Sequence, residues 1–118
     1  MKKVLLFIIL LSGILLSCED NKPTLVRAGI ISEHFVKYKM KYPDEVDFKS
    51  DYRGEKLSEN KFKVYQKFTA KNGFGVKSSY VYRAIMIYQG DGDWTDYNNW
   101  FCDELIIENE ATGEQRRY

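Results

Sequence analysis

Histidine, cysteine and proline are almost missing from this chain. Its 118 residues hold one histidine, two cysteines and two prolines. That leaves no His/Cys spacing for a metal centre and no nucleophile motif with a base beside it. No carboxylate pair and no glycine-rich phosphate loop appears either. Internal repeats and low-complexity segments are absent. Net charge is small, with 18 Lys and Arg against 17 Asp and Glu. A near-neutral chain has no global field for gathering nucleic acid, so nucleic acid is not an expected partner. Together these absences count against an enzyme and turn attention to anchoring and surface recognition.

Long apolar runs are also missing, except at the N-terminus. Met1-Lys2-Lys3 is a basic start, and Val4 to Leu11 is unbroken apolar sequence. Ser12-Gly13 interrupts it and Ile14-Leu15-Leu16 resumes. This is the layout of a secretory signal peptide: a basic region, an apolar region, then a small residue before the cleavage point. The other reading is a transmembrane helix, but the run is shorter than the ~20 residues that span a bilayer.

Leu15-Leu16-Ser17-Cys18 matches, position by position, an aliphatic residue, a variable one, a small one and cysteine. That pattern resembles the lipobox of bacterial lipoproteins. The resemblance covers the N-terminus alone. It implies cleavage before Cys18, lipidation of the Cys18 thiol and acylation (palmitate) of the new amino group. The protein would then be held at the bacterial cell envelope by more than one acyl chain, enough for stable attachment. Glu19-Asp20 resembles lipoprotein sorting signals, without indicating which membrane is meant. The alternative is an ordinary secreted protein with a free cysteine.

Removal of residues 1–17 would leave 101 residues with 16 basic and 17 acidic groups, since Lys2 and Lys3 are the only charges removed. This is the size of one domain with a single core. Residues 18–24 read as a lipidated cysteine and tether, 25–110 as the domain, and 111–118 as a charged tail that frays. With Cys18 lipidated, Cys102 is left without a partner for a disulfide. In its strand-like run Cys102 reads as a small buried apolar side chain.

Thr24 is a candidate N-cap and Leu25 to Tyr42 reads as a helix. Val26, Ile30, Ile31, Phe35, Tyr38 and Tyr42 form its apolar face, Val36 and Met40 widen it toward a second side, and Pro43 ends it by lacking an N–H. Val46-Asp47-Phe48 suggests a short strand, and Lys49 to Asn60 a charged surface loop. Lys61 to Ala70 alternates cleanly. Phe62, Val64, Phe68 and Ala70 face a core, with Gln66 as the polar exception, while Lys61, Lys63 and Lys67 face water. Asn72-Gly73 makes a hairpin turn. Val76 to Gln89 returns, apolar on both faces near Ala84 to Tyr88. Trp100 to Glu108 is the last strand, with Phe101, Leu105 and Ile107 on one side.

A helix followed by a meander predicts an α+β domain: one N-terminal helix packed on an antiparallel sheet of about four strands. The order resembles cystatin-like folds. Lys41-Tyr42-Pro43, Asn72-Gly73-Phe74-Gly75 and Trp100 also resemble a set of small bacterial proteins of unknown function. These likenesses imply fold alone.

Four features carry candidate chemistry. Asp91, Asp93 and Asp96 form D-G-D-x-x-D, closely spaced hard oxygens of the kind Ca²⁺ takes, though out of EF-hand register. The structural alternative is a turn shaped by Asp and Gly. Trp94 and Tyr97 crowd the same loop and suit partner contact, unless Trp94 folds over the sheet edge. Lys61, Lys63 and Lys67 could meet an acidic protein, lipid headgroups or cell-wall polymer, unless cross-strand acids offset them. Residues 34–83 hold 12 Lys and Arg against 6 acids, and residues 84–113 hold 7 acids with no Lys or Arg. Finally, His34 beside the helix face could serve an envelope enzyme as a base if a deep cavity opened there.

The leading expectation is a membrane-anchored lipoprotein that binds an envelope protein or surface polymer without catalysis and without a cofactor. A small enzyme using His34 and a calcium-dependent module are the alternatives.

Overall fold

The computed structural model describes residues 22–49, 51–90 and 92–118. Cys18 and Asp91 lie outside the described residues. Among the described residues, one helix packs on one face of an antiparallel sheet of six strands, two more than expected. Helix α1 spans Leu25–Lys37. The strands are β1 (Asp47–Phe48), β2 (Arg53–Ser58), β3 (Lys61–Lys71), β4 (Lys77–Tyr88), β5 (Trp100–Asn109) and β6 (Gln115–Arg117). The sheet order is β1-β3-β4-β5-β6, with β2 also on β3. β1 and β2 therefore share one edge of β3: β1 pairs with Phe68 and Thr69, β2 with the stretch from Lys61 to Tyr65.

The two additional strands lie in segments that read as loop and tail. β2 is exposed along its whole length. It has no apolar face to reveal it, and its backbone pairing to β3 is joined by an ion pair from Glu55 to Lys63. Gln115–Arg117 is also exposed on all three residues. It pairs with Ile106, Ile107 and Glu108, so the C-terminal segment is part of the sheet and not a frayed tail.

The helix is shorter than its pattern. Thr24 caps it as expected, its hydroxyl accepting the Arg27 N–H at 3.1 Å. It stops at Lys37, and i+3 bonds from Lys39 to Val36 and from Met40 to Lys37 tighten the exit. Pro43 opens a separate 3₁₀ turn, Pro43–Glu45, and so starts a new element instead of closing the helix. The residue before a proline disfavours helical geometry, which separates the two.

The buried helix face also differs. Ala28, Gly29, Ile31, Ser32 and Val36 are buried, while Val26, Ile30 and Tyr38 are exposed. Small residues win because the helix lies close to its neighbours: the Tyr52 ring occupies the space a Gly29 Cβ would take. From the sheet, β3 contributes Phe62, Val64, Phe68 and Ala70, and β4 contributes Tyr80, Tyr82, Ala84 and Met86. Trp100, Leu105 and Ile107 complete the core from β5.

A bulge sets the phase of β5. Ile85 pairs with Glu104 and Met86 with Cys102, so Asp103 is the extra residue. Before it the inward positions are Trp100 and Cys102; after it they are Leu105 and Ile107. Phe101 therefore points outward, 47% exposed, and does not share a side with Leu105 and Ile107. An inserted residue flips every side chain beyond it.

Candidate functional site

The helix covers one sheet face, and among the described residues no element covers the other, the open face. On the open face, Lys61, Lys63 and Lys67 stand in a row along β3. Their cross-strand neighbours on β4 are Ile87, Ile85 and Val81. Glu104 and Glu108 of β5 in turn flank Ile85 and Val81 from the far side. Lys63 and Lys67 are thus separated from Glu104 and Glu108 by Ile85 and Val81, a span of two strands or about 10 Å, while Arg83 stands between Ile85 and Val81 on β4. Direct lysine–glutamate pairing between adjacent strands β3 and β4 does not occur. Lys63 pairs instead with Glu55, its cross-strand neighbour on β2, at 4.0 Å, and Lys67 pairs with Glu110 at 3.6 Å. Exposed pairs of this kind contribute about 0–1 kcal/mol each. Glu104 is engaged by Arg83 at 3.6 Å and by Arg117.

The loop between β4 and β5 lies on the helix side. Trp94 is half-buried and packs on the core. The Arg27 guanidinium covers its ring at 5.0 Å, and its carbonyl accepts the Trp100 indole N–H at 2.7 Å. Tyr97 is exposed and stacks on His34. The lysine row and the Trp94–Tyr97 loop therefore do not form one surface: the lysines lie on the open face, the loop beside the helix.

The described acids of that loop shape the backbone. Asp93 accepts the Thr95 N–H at 2.9 Å, and Asp96 caps the 3₁₀ turn Tyr97–Asn99 by accepting the Asn98 N–H at 2.9 Å. The bond from the Thr95 backbone, with one from its side chain, holds the Asp93 carboxyl below its ordinary range. Among the described residues no group of three or more His, Cys, Asp and Glu is placed to hold a metal ion.

His34 sits at a shallow rim with Phe35, Tyr38, Tyr97 and Trp100. Burial, and then the nearby Lys37 charge, lowers its pKa from 6.5. Among the described residues it forms no ion pair with a carboxylate, and the core behind it is filled by Ile31 and Val36.

A buried polar string joins helix to sheet, and Gln66, the polar exception of β3, is its centre. The Gln66 amide donates to Glu33 Oε1 at 2.9 Å and to the Lys49 carbonyl. These two acceptors fix its orientation, and its oxygen accepts from Tyr82 OH at 2.7 Å. Tyr82 OH also meets Ser32 Oγ at 2.7 Å, and Ser32 donates to the Gly29 carbonyl at 2.7 Å. Tyr52 OH donates to Glu33 at 2.7 Å. Burial raises both phenols well above their ordinary range, Tyr52 with help from Glu33. Hydrogen-bonded in this way, the string ties helix α1 to β3 and β4. Gln66 was the one visible signal of it; Ser32, Glu33 and Tyr52 carry none in the sequence.

Among the described residues no helix is long and apolar enough to cross a membrane. Comparison with protein-family models, with curated proteins and with solved structures finds no match for this chain.

Proposed function

We propose that this protein is a lipid-anchored lipoprotein of the bacterial cell envelope, and that its domain is a non-enzymatic binding or accessory module. The lipobox Leu15-Leu16-Ser17-Cys18 supports the anchor. The open sheet face carries the binding reading. That face carries Lys61, Lys63 and Lys67 in a row beside Ile87, Ile85 and Val81, and the ion pairs of Lys63 and Lys67 are of the kind that contributes about 0–1 kcal/mol each. Such a face suits an envelope protein or a surface polymer with complementary charge. The contact residues in this reading are Lys61, Lys63 and Lys67, with Tyr97 a secondary contact at the helix side. Trp94 serves mainly to fasten its loop. The helix-then-meander order also supports a cystatin-like assignment for the fold.

The test is cross-linking and pull-down of the lipidated protein from its own cells, beside a Lys61→Glu, Lys63→Glu, Lys67→Glu variant. A dominant partner lost in the variant is the expected result. A partner retained in the variant moves the interface elsewhere and overturns the open-face assignment. Palmitate labelling of the same cells checks the anchor, with Cys18→Ser as the unlabelled control. Label in the Cys18→Ser chain would overturn it.

A further inference from the structure

The β3–β4 turn presents an aromatic side chain to solvent with unusual completeness: Phe74 is 94% exposed and Val76 is 59% exposed. The turn that carries them is firmly built. The Asn72 carboxamide accepts the Phe74 N–H at 2.9 Å and the Val76 N–H at 3.1 Å. The Asn72 N–H donates to the Val76 carbonyl at 2.8 Å, and the Gly75 N–H to the Asn72 carbonyl at 2.9 Å. Gly75 has φ 79°, where a side chain would be strained. A knot of four bonds thus holds outward an apolar tip that none of the described residues covers.

Cations surround the tip. Lys71 and Lys77 face each other directly as the last pair of the hairpin. Like charges directly opposite cost stability. Lys41, beyond the helix, donates to the Gly73 carbonyl at 3.2 Å and so brings its ammonium to the turn. The segment from Lys71 to Lys77 contains no acid. Glu45 reaches Lys71 at 3.0 Å, leaving Lys41 and Lys77 without an ion pair among the described residues.

We propose that this hairpin tip is a second, non-covalent membrane contact, with Phe74 and Val76 entering the headgroup layer of an anionic bilayer and Lys41, Lys71 and Lys77 meeting its phosphates. A convex tip with one aromatic side chain fits a deformable interface better than a preformed protein pocket. Aromatic rings favour the interfacial layer, and each nearby lysine adds to binding on an anionic surface. The proposal rests on the lipoprotein reading only for the nearness of a bilayer. The geometry allows both contacts at once. Arg27 in the first helical turn lies over Trp94, at the opposite end of β4 from the tip. A tether of about seven residues reaches at most ~25 Å, and a strand of β4's length spans about 40 Å. A domain held at one end and touching by the other lies along the membrane.

The test uses the lipidated full chain in vesicles of phosphatidylcholine, alone or with about 30 mol% phosphatidylglycerol. A fluorophore at Phe74→Cys, in a Cys102→Ala background, reports insertion. Glu59→Cys, in the β2–β3 turn with its side chain 93% exposed, is the control. Blue-shifted emission at position 74, quenched by brominated acyl chains and strongest in anionic vesicles, is expected. Lys41→Glu with Lys77→Glu should weaken insertion about fivefold or more for each charge removed. Emission at position 74 unchanged from solution, equal at position 59, or indifferent to the lysine reversals would overturn the proposal. Flotation with neutral vesicles reads the lipid anchor separately, so loss of the anchor and failure of the tip give different results. For an unlipidated chain, flotation with anionic vesicles reads the tip directly.

Discussion

The ring of Tyr97 lies flat on the imidazole of His34, with centroids 3.6 Å apart and planes 8° from parallel. Tyr38 closes the other side edge-on at 4.8 Å. This aromatic bracket fastens the β4–β5 loop to the helix and shields the imidazole. Burial first, and Lys37 second, makes the folded chain resist the proton that the unfolded chain binds near 6.5. Because the folded pKa is depressed, the unfolded state holds more protons in the window just below 6.5. Stability is therefore full above 6.5 and falls as the pH drops through it toward the lower folded value. Melting temperatures from about pH 7.5 to about pH 5 should decline more steeply for the natural chain than for His34→Phe. Parallel curves would remove His34 from the account.

The polar string makes a second prediction. Ser32 and Tyr82 have two hydroxyl protons for three contacts, with the Gly29 and Gln66 oxygens as acceptors at the ends. Tyr82→Phe removes one of those protons and two of those contacts, leaving Ser32 free to donate to Gly29, and should cost about 1–1.5 kcal/mol. Gln66→Leu takes a partner from Tyr82, Glu33 and the Lys49 carbonyl together, with Ser32 and Tyr52 still bonded to the first two, and should cost about 3 kcal/mol. Urea unfolding measures both. Equal costs would mean that Gln66 is not the centre, and the double variant should fall short of the sum because the sites are coupled.

Cys102 is half-buried behind the β5 bulge, and burial pushes its thiol up to about 11. Alkylation at about pH 8 should be at least about 100-fold slower in the folded chain than in urea, since the thiolate is the reactive form. The measurement needs Cys18 lipidated or replaced by serine. Rapid reaction in the folded chain would place the thiol in water.

Gly54 has φ 148°, and a Cβ there would fall on the Lys63 carbonyl. Gly54→Ala should detach β2 and cost about 1–2 kcal/mol, because β2 contributes no core residue. Amide exchange should quicken from Arg53 to Ser58 and remain slow in β4. Unchanged protection in β2 would show that the strand bends to accept the methyl group.

What the sequence displays and what it hides follow from how each element is held. β3 was legible, Gln66 included, because a half-buried strand writes its two faces in alternation. β2 and β6 were not, because fully exposed strands are held by backbone bonds that leave no pattern. In β5 the alternation misplaced Phe101, since a bulge at Asp103 changes phase without a turn residue to mark it. The apolar pattern of the helix does not reveal its buried face, because closeness selects Ala28, Gly29 and Ser32 over Val26 and Ile30. The lysine row was visible. The placing of Ile85 and Val81 between it and the glutamates required the register.

β6 covers β5 only at Ile106, Ile107 and Glu108, and the Tyr118 N–H extends that cover to the Leu105 carbonyl. Among the described residues, the edge of β5 from Trp100 to Glu104 has no neighbouring strand beyond it. An open edge invites another chain to add itself and propagate. Here the extra residue at Asp103 breaks the spacing of backbone donors and acceptors within that stretch, and it carries a charge. The irregularity that hides the phase of β5 from a reader of the sequence also hides its edge from other strands. Many copies of this domain can then lie side by side without their sheets fusing.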